Sequence, residues 1–328
     1  MTRVLIYEPS YRRLANELEG LGFEPVLMAQ DGEMSLNGAP ISVPDAALEA
    51  GWANGEVFLS PVVRPFSVAL LKSPTLKWLQ SGAAGFDHPM FGQFVQRGVR
   101  LTTSHGQSLG MAEYVLAGVL DHFQKGPERR AAQAASDWRR IHFREINGSH
   151  WLIIGFGAIG QGVAARARSF GARITGVRRD VSPHPLADAL APLDKVPDLL
   201  PQADVVVLST PLTAATRHMV DAAFLAAMKP GSVLVNVGRG GLVDEAALLA
   251  ALDRGVPEHA VLDVFETEPL PADSPFWRHP RVAVSAHTSG ETDGQSTRND
   301  ATFVENLKRF LGGEPLIYEA DPKDVLGA

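Results

Sequence analysis

The residues best suited to chemistry fall into two groups. The first is Gly155-Phe156-Gly157-Ala158-Ile159-Gly160, set between the apolar run Trp151 to Ile154 and a helix-compatible segment, Gln161 to Gly171. Strand, glycine turn and helix in that order form a cradle for a dinucleotide pyrophosphate. Gly155 permits the tight turn, Gly157 lets a phosphate approach the backbone, and Gly160 lets the helix pack closely on the strand. The helix N-terminus then offers unpaired N–H groups and a partial positive charge. The glycine pattern alone is equally an ordinary strand-to-helix turn; its flanks favour dinucleotide binding. The second group is Arg239, Glu268 and His287, each just beyond the C-terminal end of an apolar strand pattern. A guanidinium can hold a carboxylate through paired hydrogen bonds. An imidazole can exchange a proton near neutral pH, and a carboxylate can orient that ring and stabilise its cation. Singly these are a surface Arg, a solvated Glu and a capping His. Together at the ends of parallel strands they form a constellation beside a nucleotide site.

The elements that must position them read as α/β throughout. Strand candidates in the first part are Val4 to Tyr7, Pro25 to Met28, Val57 to Leu59, Leu76 to Gln80 and Val99 to Thr102, with helical patterns at Tyr11 to Leu21 and Phe66 to Leu71. Further on come strands at Arg173 to Val177, Ala203 to Ser209, Gly231 to Val237, Ala260 to Phe265 and Arg281 to Ala286. Helices are expected at Gly110 to Phe123, Asp244 to Leu252 and Glu291 to Leu311. Alternation of this kind gives parallel sheets. Ser81-Gly82-Ala83-Ala84-Gly85 follows a strand with small residues, which leaves backbone N–H groups accessible where open sheets bind ligands. Gln124 to Asn147 is polar and Arg-rich and holds Trp138; it reads as a linker, an arm or a partner-binding segment.

Totals narrow the function classes. A chain of 328 residues favours two domains. With 45% apolar and 20% charged residues, and without a long apolar run or a leader pattern at Met1 to Glu8, a cytoplasmic protein is expected, not a membrane one. The chain has no cysteine, which excludes disulfides, thiolate catalysis and cysteine-based metal sites, and no metal is expected. A net charge of −7 argues against a general nucleic-acid surface.

The glycine motif, Leu234-Val235-Asn236-Val237-Gly238-Arg239-Gly240, Leu262-Asp263-Val264-Phe265-Glu266-Thr267-Glu268-Pro269-Leu270 and Ser285-Ala286-His287-Thr288-Ser289-Gly290 resemble, in order, the motifs of the D-isomer-specific 2-hydroxyacid dehydrogenases. The resemblance runs from about Leu76 to Leu311. It implies two Rossmann-like, doubly wound parallel-sheet domains with an active-site cleft between them. Residues 1–101 and 288–328 would form the substrate domain and 102–287 the dinucleotide-binding domain. It further implies a homodimer formed through the cofactor domain, with Gly110 to Asn147 as the segment involved. Carried over by residue, Arg239 would bind the substrate's carboxylate and carbonyl, His287 would be the general acid, and Glu268 would support it. The amides of Ala83, Ala84 and Gly85 would hold the carboxylate's other side. Asp263 would bind the nicotinamide amide, with Thr210, Pro211 and Val237 among the other cofactor-binding residues. Ala83 stands where the family often has glycine, and Gly148-Ser149-His150 where it often has Gly-Lys.

The cofactor's form is read at the end of the second strand of the unit, where NAD enzymes place an acid for the ribose 2′-hydroxyl. Here the strand runs into Arg178 and Arg179, followed by Asp180. Two guanidiniums suit a 2′-phosphate, so NADP is expected, with NAD as second choice through Asp180. The expected activity is reduction of a small 2-oxo acid, glyoxylate- or hydroxypyruvate-like, to its D-2-hydroxy acid. The alternatives are a nucleotide-sensing binding protein of the same fold and a phosphite-type dehydrogenase.

Overall fold

The computed structural model describes residues 1–86 and 88–326. The chain forms two compact units, Met1–Gln107 with Asp293–Ala328, and Ser108–Thr292. The crossings lie later than the 101/102 and 287/288 boundaries expected from sequence, and hydrogen bonds show why. Thr103 and Ser104 donate their N–H groups to Tyr318 (3.0 Å) and Ala83 (3.0 Å) of the first unit. Ser289 is tied to Asp263 of the second (N–H to Oδ1, 3.1 Å).

In the first unit, β1 (Arg3–Tyr7), β2 (Glu24–Met28), β3 (Met34–Leu36), β4 (Ala39–Pro40), β5 (Ala50–Ala53), β6 (Trp78–Ser81) and β7 (Arg100–Thr102) form a seven-stranded sheet in the order β4-β3-β2-β1-β5-β6-β7. It is not wholly parallel. β2 to β3 and β3 to β4 are antiparallel, and β3 is joined to β4 at Asn37-Gly38, where both residues have positive φ (51° and 78°). That pair of left-handed residues makes the hairpin turn whose twist matches its strands. The expected strand at Val57 to Leu59 is instead part of a short helix, Gly55–Phe58, capped by the Asn54 side chain accepting from Val57 N–H at 3.1 Å. The strand lies just before it, at β5. Gly51 there packs against the Leu70 side chain, whose Cδ2 lies 2.6 Å from a built Cβ. The helix Gln295–Gly312 closes one face of this sheet, stacking Phe303 flat on Trp52 with centroids 4.3 Å apart. Burying an aromatic of this size contributes about 1.5–3 kcal/mol.

The second unit has β8 (His150–Ile154), β9 (Arg173–Val177), β10 (Ala189–Ala191), β11 (Val205–Leu208), β12 (Val233–Asn236), β13 (His259–Leu262) and β14 (Val282–Val284), all parallel, in the order β10-β9-β8-β11-β12-β13-β14. Its central strands are continuous apolar runs because both faces are covered. Alternate residues serve opposite cores. Leu152, Ile154, Val206 and Leu208 pack on one side, and Trp151, Ile153, Val205 and Val207 on the other. The helix Ser108–Phe123 packs on the helix Ala158–Ser169 where Gly162 brings Ala112 close. No described helix is long and apolar enough to cross a membrane.

Candidate active site

Because the second sheet is parallel, the C-terminal ends of its strands share one edge, and the order reverses between β8 and β11. Gly155 follows β8 at that switch point, the usual ligand crevice of open sheets. Its φ of +98° and the closeness of Ser209 and Thr210, 2.5 Å from a built Cβ, admit only glycine. A Cβ on Gly160 would strike the Gly155 carbonyl and lie 3.0 Å from Ile153 Cγ2, so this glycine sets the helix against the strand. A Cβ on Gly157 meets nothing within 4 Å. The space above Gly157 and the start of the helix Ala158–Ser169, which has no side-chain cap, therefore fit a pyrophosphate. Phe156 and Val237 are buried, so their side chains serve the core and only their backbone can face a cofactor. Thr210 lies between two glycines, its N–H group near Gly155 and its carbonyl 3.0 Å from a Cβ built on Gly238. Pro211 accepts from Thr216 Oγ1 at 2.8 Å, which closes its loop.

Arg178 and Arg179 follow β9 on the same edge. Arg178 is engaged with its own loop: its Nε donates to the Asp180 carbonyl and its Nη2 to that of Ser182 (3.1 Å). Asp180 is engaged as well, its carboxylate accepting from Ser182 N–H (2.9 Å) and Oγ (2.6 Å).

Arg239 follows β12 in a turn braced by Asn236, whose Oδ1 accepts from Gly238 N–H (3.0 Å) and whose Nδ2 donates to the Arg239 carbonyl (2.9 Å). The next residue, Gly240, packs so tightly on Phe265 that a Cβ would overlap its backbone. This sets the Arg239 turn against the loop that carries Glu268. Glu268 Oε1 accepts from Phe265 N–H at 3.0 Å, and Oε2 accepts from His287 Nδ1 at 2.7 Å. A carboxylate has no proton to give, so Nδ1 carries the hydrogen and the Nε2 lone pair faces away. The pair is half exposed, 50% for the His side chain and 36% for the Glu, so a small molecule can reach it. His287 has φ +55°, a left-handed conformation that costs a non-glycine residue about 1 kcal/mol and must be held by its surroundings.

What holds it is Asp263, fully buried after β13. Its carbonyl accepts from His287 N–H at 2.8 Å. Its Oδ1 accepts from Ser285 Oγ (2.6 Å), Thr288 N–H (2.8 Å) and Ser289 N–H (3.1 Å), and its Oδ2 from Ser289 Oγ and N–H. A carboxylate has about four lone-pair sites; these donors fill them. Ser285 in turn lies 2.6 Å from the Tyr114 hydroxyl. Burial, with the nearby Asp263 charge, holds Tyr114 above the usual phenol range. The protonated hydroxyl donates to Ser285, which has spent its own proton on Asp263. The sequence offered no sign of this role for Tyr114 and Ser285.

The small-residue loop after β6 belongs to the first unit. Ala83 N–H donates to Ser81 Oγ at 3.1 Å, so it is not free to hold a ligand. No described residue accepts from the N–H of Ala84 or Gly85. Behind the loop, Ser104 Oγ is hydrogen-bonded to Asn299 Oδ1, and Asn299 Nδ2 donates to the Gly82 carbonyl (3.4 Å). Sequence reasoning missed Asn299, which reads as one more polar residue on a long helix.

Residues 116–289 match the NAD binding domain model of the D-isomer specific 2-hydroxyacid dehydrogenases. The chain belongs to that family. Within it, an (S)-sulfolactate dehydrogenase of Chromohalobacter salexigens is 35% identical over 216 residues, covering 65% of this chain and 70% of that protein. A glyoxylate reductase of Thermococcus gammatolerans is 32% identical over 252 residues, 74% of this chain and 75% of the other. The crystal structure of a D-isomer specific 2-hydroxyacid dehydrogenase from Xanthobacter autotrophicus Py2, in complex with NADPH and MES, superposes with a TM-score of 0.78 at 28% identity, covering 99% of each chain. The match to the D-3-phosphoglycerate dehydrogenase of Mycobacterium tuberculosis is 35% identical over 248 residues, 75% of this chain; it spans about half the length of that relative (47%).

Proposed function

We propose that this chain is an NADPH-preferring reductase of small 2-oxo acids, forming the D-2-hydroxy acid. The observation that carries the reading is the His287–Glu268 pair, with Nδ1 tied at 2.7 Å, on the same strand-end edge as Arg239 and the Gly155–Gly160 cradle. A bound nicotinamide cofactor supplies the hydride. The chain's own residues do the rest. Arg239 holds the substrate carboxylate and draws charge from the carbonyl oxygen. Protonated His287 gives that oxygen its proton from Nε2, and Glu268 keeps the ring turned and stabilises its cation.

NADPH preference follows from the end of β9. Arg178 and Arg179 bring two positive charges there, while Asp180, the nearby acid, has its carboxylate turned to Ser182. Arg178 braces the loop and Arg179 adds the second charge for a 2′-phosphate. The protein acts as a homodimer built on the second unit. Trp138 is fully exposed (103%) and Phe143 is half exposed, on a segment pinned to the unit by Arg144, which pairs with Asp204 at 2.6 Å. An exposed Trp with neighbouring Arg residues suits a self-complementary interface.

The test is oxidation of NADPH and NADH with glyoxylate, hydroxypyruvate, pyruvate, phenylpyruvate and 3-phosphohydroxypyruvate. Turnover with an NADPH bias is expected. That bias should collapse in a variant with Arg178 and Arg179 both changed to Ala, and turnover should collapse in Arg239→Ala. An Arg239→Ala protein with full kcat/KM would overturn the catalytic reading. NADPH binding without turnover of any keto acid would favour a sensing role or a phosphite-type substrate. Light scattering of Trp138→Ala against the parent checks the dimer.

A further inference from the structure

We infer that His218 and Glu266 form a staple that holds the loop bearing Glu268 against the turn bearing Arg239, which makes His218 a positioning residue for the proton transfer. The inference rests on the proposed roles of Arg239, Glu268 and His287.

The proposed machinery is divided between loops. Arg239 lies on the turn after β12, and Glu268 on the loop after β13. Gly240 brings their backbones together, since a Cβ built there would overlap Phe265. Contact at that one point leaves the rest of the Glu268 loop free to pivot, and His218 closes it. This residue reaches both partners. Its N–H donates to the carbonyl of Gly241 (2.8 Å), two residues past Arg239. Its Nε2 donates to Oε1 of Glu266, two residues before Glu268. The nearby Val220 N–H donates to the Leu242 carbonyl (3.0 Å), so the backbone beside the Arg239 turn is fixed on its own. The side-chain contact joins that fixed edge to the Glu268 loop. His218 has φ +50°, a left-handed conformation that disfavours any side chain with a Cβ. Glycine would suit the backbone better, so the position is occupied for its imidazole.

Glu266 stands in an acidic corner. Its N–H donates to Oε1 of Glu245 (2.8 Å), the first residue of the helix Glu245–Arg254. Burial, aided by the charge of Glu266, holds Glu245 above the usual carboxylate range. Neighbouring acids repel, and the His218 donor offsets that repulsion. The cofactor side of the same segment is closed without His218, because Thr216 Oγ1 donates to the Pro211 carbonyl at 2.8 Å.

His218→Gly removes the imidazole and relieves the backbone. Its Tm should stay close to the parent's, yet kcat/KM for the keto acid should fall about 5–10-fold, mainly in kcat. The NADPH dissociation constant, read by fluorescence titration, should stay within about twofold. The side chains are 47% and 37% exposed, so water screens the pair and keeps the loss to that size. Glu266→Ala breaks the same contact from the other side and should give the same loss. His218→Gln places an amide N–H near the position of Nε2 and should restore kcat/KM to within about twofold of the parent, a rescue that stability alone would not produce. Hydrogen exchange of the Phe265 amide, which donates to Glu268 Oε1, reads the loop without turnover. It should be several-fold faster in His218→Gly and Glu266→Ala, and at the parent rate in His218→Gln. In a Glu268→Gln background, His218→Gly should cost less than about twofold further. Full kcat/KM in His218→Gly, parent-rate exchange at Phe265 in that variant, or multiplicative losses with Glu268→Gln would each overturn the inference. A fully active His287→Ala would instead sink the proposed reaction, and exchange at Phe265 would then decide by itself whether the staple holds the loop.

Discussion

Replacing Glu268 by Gln changes few atoms and tests the proton-transfer reading directly. The carboxylate makes two contacts, accepting from Phe265 N–H at 3.0 Å and from His287 Nδ1 at 2.7 Å. Both partners are donors, and an amide has only one oxygen. If that oxygen stays on Phe265, the NH2 group faces Nδ1 and can be accommodated only by the neutral ring with its hydrogen on Nε2, which leaves no cation to donate. If the amide turns, its NH2 opposes the Phe265 N–H. One contact is lost either way, and it is a charge-assisted one, worth about 1.5–3 kcal/mol. The side chains are 50% and 36% exposed, so water screens the pair and the lower end applies. About 1.5 kcal/mol corresponds to roughly a 10-fold fall in kcat. The assay is steady-state keto-acid reduction under saturating NADPH, with the NADPH dissociation constant measured separately and expected to be unchanged. A Glu268→Gln enzyme with kcat within about twofold of the parent would refute the reasoning, because His287 would then need no partner on Nδ1.

Three further outcomes are expected. A Cβ on Gly157 has nothing within 4 Å, whereas one on Gly160 meets the Gly155 carbonyl; Gly157→Ala should keep the parent's Tm and weaken NADPH binding about 10-fold or more, while Gly160→Ala loses both, as calorimetry and titration would show. Asn299→Ala frees the carbonyl of Gly82 and the hydroxyl of Ser104, and should raise KM for the keto acid several-fold with KM for NADPH unchanged. His259 is stacked on His122, and burial followed by the His122 charge pushes its pKa down to about 4. The unfolded ring titrates near 6.5, so the unfolded chain takes up a proton that the folded one refuses. Stability is therefore full above about pH 6.5 and falls as pH drops toward 4, by at most about 3 kcal/mol. His259→Gln should flatten that slope in urea titrations at neutral and mildly acidic pH.

The second unit was legible because its signals are local and agree. Trp151 to Ile154, Gly155 to Gly160 and the strands ending at Asn236, Leu262 and Val284 each declare themselves by apolar runs closed by glycine or polar residues. A parallel sheet then brings their ends to one edge. The first unit was less legible where tertiary packing overrides propensity. Val57 to Leu59 looks like a strand, but Asn54 caps a helix there, and the real strand, Ala-Gly-Trp-Ala, has little β character apart from Trp52. The hairpin at Asn37-Gly38 went unread in the sequence, although Asn-Gly is a hairpin-turn pair. At the candidate site, residue types pointed to Arg239, Glu268 and His287. The convergence on Asp263 could not be read, because it depends on where Thr288 and Ser289 send their backbone N–H groups. The loop closed by Arg178 is of the same kind.

The helix Gln295–Gly312 was described as the cover of the first sheet, with Phe303 stacked on Trp52. That arrangement also sets an order of events during synthesis. Residues 108–292 are one continuous stretch, and their unit can complete its sheet as soon as they have left the ribosome. The first unit is made from both ends of the chain. Its strands emerge first, yet Trp52 and Trp78 must wait for Phe303 and Leu307 before that face of the sheet is covered. The strands of the first unit, though made before the second unit, are thus completed after it, and until then an aromatic face of that sheet stays uncovered.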